Sequence, residues 1–323
     1  MSLNYSFACG CKIPVFDKEP KANDGIPSMA IPYEELARQI NYSKGCPGTW
    51  ELMSEGRTKG VFQLETQLGQ GWAGKLKPTS LEEISALVSI IRPGVLRALV
   101  DCDGGKQKTM TQLYVDRKHG VEEIKYFHDA LEPIFRDTWG IMVYQEQAMR
   151  IAVELAGFNE QQADVLRKAI GKKKADIMAE VRNEFLEGCA REEIVNKQEA
   201  EQIFSWIQES QRYSFNHSHG IGYGSLGYLS MFAKFHFPLH FYCSWLKFAR
   251  NKQDTLQEMK ELVADAKMSD VLILPPSIDN IFFNHADVCV NDDRVNFGIK
   301  CIKKIGEASV KKFLARIRLI EGQ

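Results

Sequence analysis

The chain has 323 residues, 44% of them apolar and 26% charged; this is the balance of a globular protein with room for two or three domains, not of a peptide or a low-complexity segment. No run of about 18 apolar residues offers a membrane span, and MSLNYSFACGCK lacks the basic and apolar regions of a secretory signal, so a soluble cytoplasmic protein with no membrane partner is expected. The net charge of -1 speaks against a surface coated for nucleic acid, and eight scattered cysteines fit reduced thiols better than a disulfide framework.

Residues 1–60 are rich in Pro, Gly, Asn and Ser, with one short helical pattern near Tyr33 to Gln39, and read as an irregular segment at a domain edge. From Val61 the texture becomes helical. LEEISALVSII carries Leu81, Ile84, Leu87, Val88 and Ile91 on one face, with Ser80 and Glu83 as a capping box and a stop ahead of Arg92-Pro93. The spacing then predicts a helix from about Gln145 to Leu155 stopped by Gly157. A second is capped by Asn159 and Gln162 and ended by Gly171, a third runs from Ala175 to Ala190, and a fourth is opened by Asn196 and Glu199. Residues 61–267 therefore read as a helical domain. After Ser269, VLILPPSIDN, ADVCV and RVNFGI read as short strands with a turn at Asn291 to Asp293, and KCIKKIGEASVKKFLARI as a turn and helix. The expected fold class is mainly α, with a small α+β part over residues 268–323.

The net charge hides segregation. Cations bunch at Arg117 and Lys118, at Arg167, Lys168, Lys172, Lys173 and Lys174, and at Lys303, Lys304, Lys311 and Lys312, while acids dominate Glu184 to Glu201, so a phosphate-bearing partner could be met locally. DVLRKAIGKKKAD is the strongest such signal, because helix ends with mobile cations suit triphosphate or backbone phosphate; the plain alternative is a solvated basic surface.

Other patterns are weaker. Gly222, Gly224 and Gly227 spell G-x-G-x-x-G, but polar residues precede them and no acid follows at the required distance, so close helix packing is the better reading than a dinucleotide loop. His217 with His219, His236 with His240, and Cys9 with Cys11 lack the further ligands of a metal site. Asp101 and Asp103 could hold magnesium, yet they stand where Asp is favoured as a turn residue. No catalytic or metal-binding residue is assigned.

Seven stretches taken together are more specific than any one of them: FQLET (62–66), IIRPG (90–94), YVDRKHG (114–120), LEPIF with TWGIMVYQEQAM (131–149), ADVLRKAIGKKK (163–174), YSFNHSH (213–219) and LPPSIDN (274–280). In this order and spacing, over about residues 45 to 313, the chain resembles the alpha subunit of bacterial DNA polymerase III, the replicative C-family polymerase, including its phage relatives. The resemblance implies that 61–267 is a fingers domain, and that the C-terminal strands and KKIGEASVKKF begin a duplex- and clamp-binding domain with a helix-hairpin-helix. It implies nucleotidyl transfer with magnesium in the complete enzyme. It implies primer-template DNA and deoxynucleoside triphosphates as partners, with a sliding clamp and other replisome subunits beyond them. By the same resemblance Arg167, Lys168, Lys172 and His219 are expected to bind nucleotide, and Lys173, Lys174, Asn216, His217, Lys303 and Lys304 to contact DNA.

Departures from the family pattern qualify these roles. Lys168 stands where the family has a second arginine and cannot offer a bidentate fork. His217 replaces a lysine, and Lys304 replaces a glycine of the hairpin. The palm motif P-D-x-D-x-D-F, which supplies the metal ligands, does not occur in these 323 residues. Part of a polymerase is therefore expected, either an expressed piece or one product of a split gene, inactive by itself and served by a palm domain or companion polypeptide. The alternative is a DNA-binding relative that kept the fingers shape without chemistry.

Overall fold

A computed structural model describes residues 5–6, 12–13, 45–97, 99–102, 106–172, 175–210, 213–276, 287–291, 293–302 and 305–320. Within them the fold is mainly helical: α1 (Pro47–Ser54), α2 (Gln67–Leu76), α3 (Leu81–Ile90), α4 (Met110–Lys118), α5 (Glu132–Phe135), α6 (Gln145–Ala156), α7 (Glu160–Lys172), α8 (Ala175–Glu192), α9 (Lys197–Ser210), α10 (His217–His236), α11 (Pro238–Phe248), α12 (Thr255–Met268) and α13 (Glu307–Ile320). Strands are few. β1 (Tyr5–Ser6) pairs with β2 (Lys12–Ile13), and β3 (Leu99–Cys102) with β4 (Lys106–Thr109), both antiparallel. In the C-terminal sheet β7 (Arg294–Asn296) lies between β5 (Leu272–Leu274), to which it is parallel, and β6 (Cys289–Asn291), to which it is antiparallel. No helix among the described residues is long and apolar enough to cross a membrane.

Local chemistry explains most helix ends. Asn159 Oδ1 accepts from the Gln162 amide at 2.9 Å while the Gln162 side chain accepts from the Asn159 amide at 3.1 Å, and Asn196 with Glu199 repeats the arrangement at 3.0 and 2.7 Å; each pair satisfies two amides that a helix start leaves open. Gly157 closes α6 at φ 65°, which a glycine adopts without strain. Ser80 caps α3 through the Glu83 amide at 3.2 Å. The Glu83 carboxylate does not complete the expected box, however; it accepts from the Thr79 amide at 2.7 Å and from Lys118 Nζ at 2.6 Å, a largely buried ion pair.

Three cores organise the chain. The first gathers α1 to α4, the segment from Ile141 to Tyr144 and α10; the second gathers α5 to α9; the third joins α11 and α12 to the C-terminal sheet around the fully buried Val295. α10 packs along α3 through small residues. A Cβ built on Gly224 would stand 3.0 Å from the Ser85 backbone of α3, and one on Gly227 3.3 Å from the Phe62 carbonyl ahead of α2, so glycine is what lets α10 approach both segments. The G-x-G-x-x-G run therefore lies inside a packed helix.

At its far end α10 carries Lys234, whose side chain has 0% exposure. Its ammonium donates to Asp265 Oδ2 at 2.6 Å, to the Arg57 carbonyl at 2.7 Å and to the Lys59 carbonyl at 3.0 Å. Tyr242 donates to the same carboxylate at 2.6 Å. Burial holds the lysine below its usual pKa, against the pull of Asp265. This node ties the first core to the third.

Four sequence expectations need correction or placement. Pro47–Ser54, read as irregular, is a helix because Trp50 and Met53 reach the first core, a tertiary contact that composition does not encode. α7 runs through Gly171 to Lys172. Asp101 lies on a strand opposite Gln107 and not in a turn. Before α13 the described backbone shows one short 3-10 turn, Ile299–Cys301, and Lys303 and Lys304 lie outside the described residues, as do Asp103, the pattern at 33–39, and the residues after Pro276 in LPPSIDN.

Candidate functional site

Two segments far apart in sequence are zipped together at the start of α6. The Phe215 amide donates to the Val143 carbonyl and the Gln145 amide to the Phe215 carbonyl, both at 2.9 Å, forming a parallel bridge between Tyr144 and Phe215. Gln147 folds back to accept from the Val143 and Tyr144 amides at 2.8 and 3.0 Å, and its own amide donates to Thr138 Oγ1 at 2.8 Å. Glu146, in the first turn of α6, accepts from Asn216 Nδ2 at 2.8 Å and from the His217 amide at 2.9 Å. Asn216 Oδ1 in turn caps α10 by accepting from the His219 amide at 2.9 Å. The N-termini of α6 and α10 are thereby held side by side.

From that joint α10 presents its rings in two directions, as residues two apart on a helix must. His217 turns back onto Tyr144, with ring centroids 4.2 Å apart. His219 packs on Tyr223 at 3.9 Å and against Phe215 at 5.2 Å, and it lines a cavity of about 380 Å³ with Gln63, Leu68 and Arg92. The Arg92 guanidinium sits 4.0 Å above the Phe215 ring and is anchored on the Ser89 carbonyl at 2.8 Å and the Tyr213 carbonyl at 3.3 Å. Burial lowers its pKa, and an arginine so shifted still carries its charge at neutral pH. Gln63 holds φ 63°, a left-handed backbone that a non-glycine residue adopts at a cost of roughly 1–2 kcal/mol. An aromatic shelf with a fixed cation beside it suits a planar, electron-rich group carrying negative charge.

The cations Arg167 and Lys168 lie on α7, which follows α6 after the three residues 157–159 and packs against it. Arg167 and Lys168 share one carboxylate, Asp164, each at 2.7 Å. Lys168 first and Arg167 second hold that carboxyl below its usual range. Two cations against one acid leave net positive charge, and exposed pairs at helical spacing are weak enough to rearrange around a ligand. Lys172 is the last residue of α7, while Lys173 and Lys174 lie outside the described residues. α6 contacts both: it packs on α7, and its Glu146 holds the start of α10.

Among the described residues no group of three or more His, Cys, Asp or Glu side chains could hold a metal ion. Sequence reasoning gave no role to Arg92, Glu146, Phe215 or Tyr223. Arg92 and Glu146 were visible only as letters of IIRPG and VYQEQ, where an arginine before proline and an acid in a first helical turn have ordinary explanations.

Residues 39–193 match the family model described as the bacterial DNA polymerase III alpha subunit finger domain. The chain is 38% identical to the DNA polymerase III subunit alpha of Aquifex aeolicus over 269 residues, which cover 82% of this chain and 21% of that protein. It is 35% identical to the Bacillus subtilis subunit over 263 residues, 81% of this chain and 22% of that one. It is 36% identical to the Thermus aquaticus subunit over 297 residues, 87% and 23%. The chain spans about a fifth of the length of the curated relatives it matches.

Proposed function

We propose, from the premise that the finger region of this chain belongs to the bacterial DNA polymerase III alpha-subunit family, that the chain binds an incoming deoxynucleoside triphosphate and primer-template DNA during template-directed synthesis. In this reading the cationic end of α7, Arg167 with Lys168 and Lys172, neutralises the triphosphate. His219 on its aromatic shelf meets the sugar and base. Lys173 and Lys174, together with Lys303 and Lys304 further along, serve the DNA backbone.

The observation that supports the reading is that α6 touches both elements: it packs on α7, which bears the cations, and its Glu146 holds the start of α10. Charge and positioning are the protein's usual contribution to phosphoryl transfer, because the developing charge must be met by groups already in place. Magnesium supplies metal-assisted charge neutralisation in such reactions, and no step proposed for this chain is routed through it.

Titration of fluorescein-labelled primer-template and of deoxyadenosine triphosphate into the chain at graded salt tests this reading. DNA affinity is expected to fall with log salt at about 0.9 per duplex phosphate contacted, and Arg167→Ala with Lys168→Ala to weaken nucleotide binding about tenfold each. Primer extension is expected only when a polypeptide carrying P-D-x-D-x-D-F is added. A flat salt profile, or extension by the chain alone, overturns the proposal; DNA binding with no nucleotide binding replaces it with a non-catalytic DNA-binding role.

A further inference from the structure

A helix start concentrates unpaired N–H groups and positive partial charge, and the opening of α10 would ordinarily attract an anion from outside. Here the chain supplies its own. The Glu146 carboxylate accepts from Asn216 Nδ2 through one oxygen and from the His217 amide through the other, at 2.8 and 2.9 Å. Asn216 is in use at both ends, since its Oδ1 also accepts from the His219 amide at 2.9 Å. The His217 ring lies on Tyr144, a residue of the joint itself, 4.2 Å away between centroids. Of the run from Asn216 to His219, it is the His219 ring that lines the cavity.

We propose that Glu146 is a positioning residue: it clamps the first turn of α10 and so fixes where the His219 ring stands, while Asn216 and the His217 amide act as parts of the clamp and not as phosphate ligands. The inference rests on the nucleotide-binding reading above and narrows its residue assignment. The physical reason is that the first turn of a helix is where fraying starts, and a doubly accepting carboxylate removes that freedom. Because α6 also packs on α7, the same carboxylate fixes α10 against the pair of helices that bears Arg167 and Lys168.

Exchanging the two chemistries separates a clamp from a merely stabilising contact. Glu146→Gln faces an amide nitrogen toward Asn216 Nδ2, donor against donor, and Asn216→Asp faces one carboxylate toward another. The double variant restores every bond, with the new glutamine donating to the new aspartate and accepting from the His217 amide, and the aspartate still capping His219. In the full chain each single variant is expected to raise the Kd for deoxyadenosine triphosphate and the exchange rate of the His219 amide about tenfold, and the double variant to return both to within about twofold of the unaltered protein. Singles that exchange faster yet bind nucleotide as before overturn the positioning role, as does a double variant that stays as weak as the singles. If the unaltered chain binds neither nucleotide nor primer-template, the functional reading falls and amide exchange alone decides: recovery in the double variant upholds the clamp, and unchanged exchange in the singles overturns it.

Discussion

Lys168 and Lys234 carry the same charge into opposite settings. Lys168 is 55% exposed and shares its single carboxylate with an arginine. Lys234 is 0% exposed, and its ammonium has three oxygen partners drawn from two other parts of the fold. A cation with spare donors and one shared acid can be redirected to a ligand at little cost. One whose donors are all used inside the protein is structure. The difference separates a candidate binding site from a joint between cores, and it lies in burial and partners, because both lysines sit in helices.

The largest way to break this comparison is to truncate the buried cation. Lys234→Ala leaves Asp265 in the interior with only Tyr242 and solvent-poor surroundings, and removing one partner of a buried pair costs about 3–5 kcal/mol. Urea unfolding should register that loss together with loosened docking of α12. Lys168→Ala should leave the unfolding midpoint nearly unchanged, since surface substitutions away from special features stay within about 0.5 kcal/mol. Equal losses for the two variants would remove the distinction.

Much of the fold was legible because its signals are local. Asn159, Gly157 and Asn196 act within four residues of themselves, and each cap or stop falls where its chemistry puts it. What stayed hidden acts across long separations. Glu146 meets Asn216 across 70 residues, Lys234 meets the Arg57 carbonyl across 177, and α1 forms because Trp50 packs on Tyr228 at 4.7 Å between ring centroids. No period of two or 3.6 residues encodes such pairings. The candidate site shows the same division. Arg167, Lys168 and His219 were named through a family motif, whereas the groups that hold the shelf in place, Arg92, Phe215 and Tyr223, became visible only once the chain was folded.

The glycines of α10 sharpen the contrast between committed and free positions at smaller magnitude, and with opposite signs inside one helix. Gly224 is committed: a methyl there meets the Ser85 hydroxyl and stands 3.0 Å from the Ser85 backbone, so Gly224→Ala must push α10 off α3, an overpacking that costs about 1–3 kcal/mol. Gly222 is free, with nothing within 4 Å of an added Cβ, so Gly222→Ala gains only helix propensity and should stabilise the protein by about 0.5–1 kcal/mol. Thermal unfolding of the two variants reads both signs. The pair also tests the packing role of the G-x-G-x-x-G run: of these two positions packing punishes only Gly224, which faces α3, and leaves Gly222 tolerant. A stabilised Gly222→Ala beside a destabilised Gly224→Ala therefore assigns the run to helix packing, and destabilisation by both would contradict the contact that Gly224 makes and Gly222 does not.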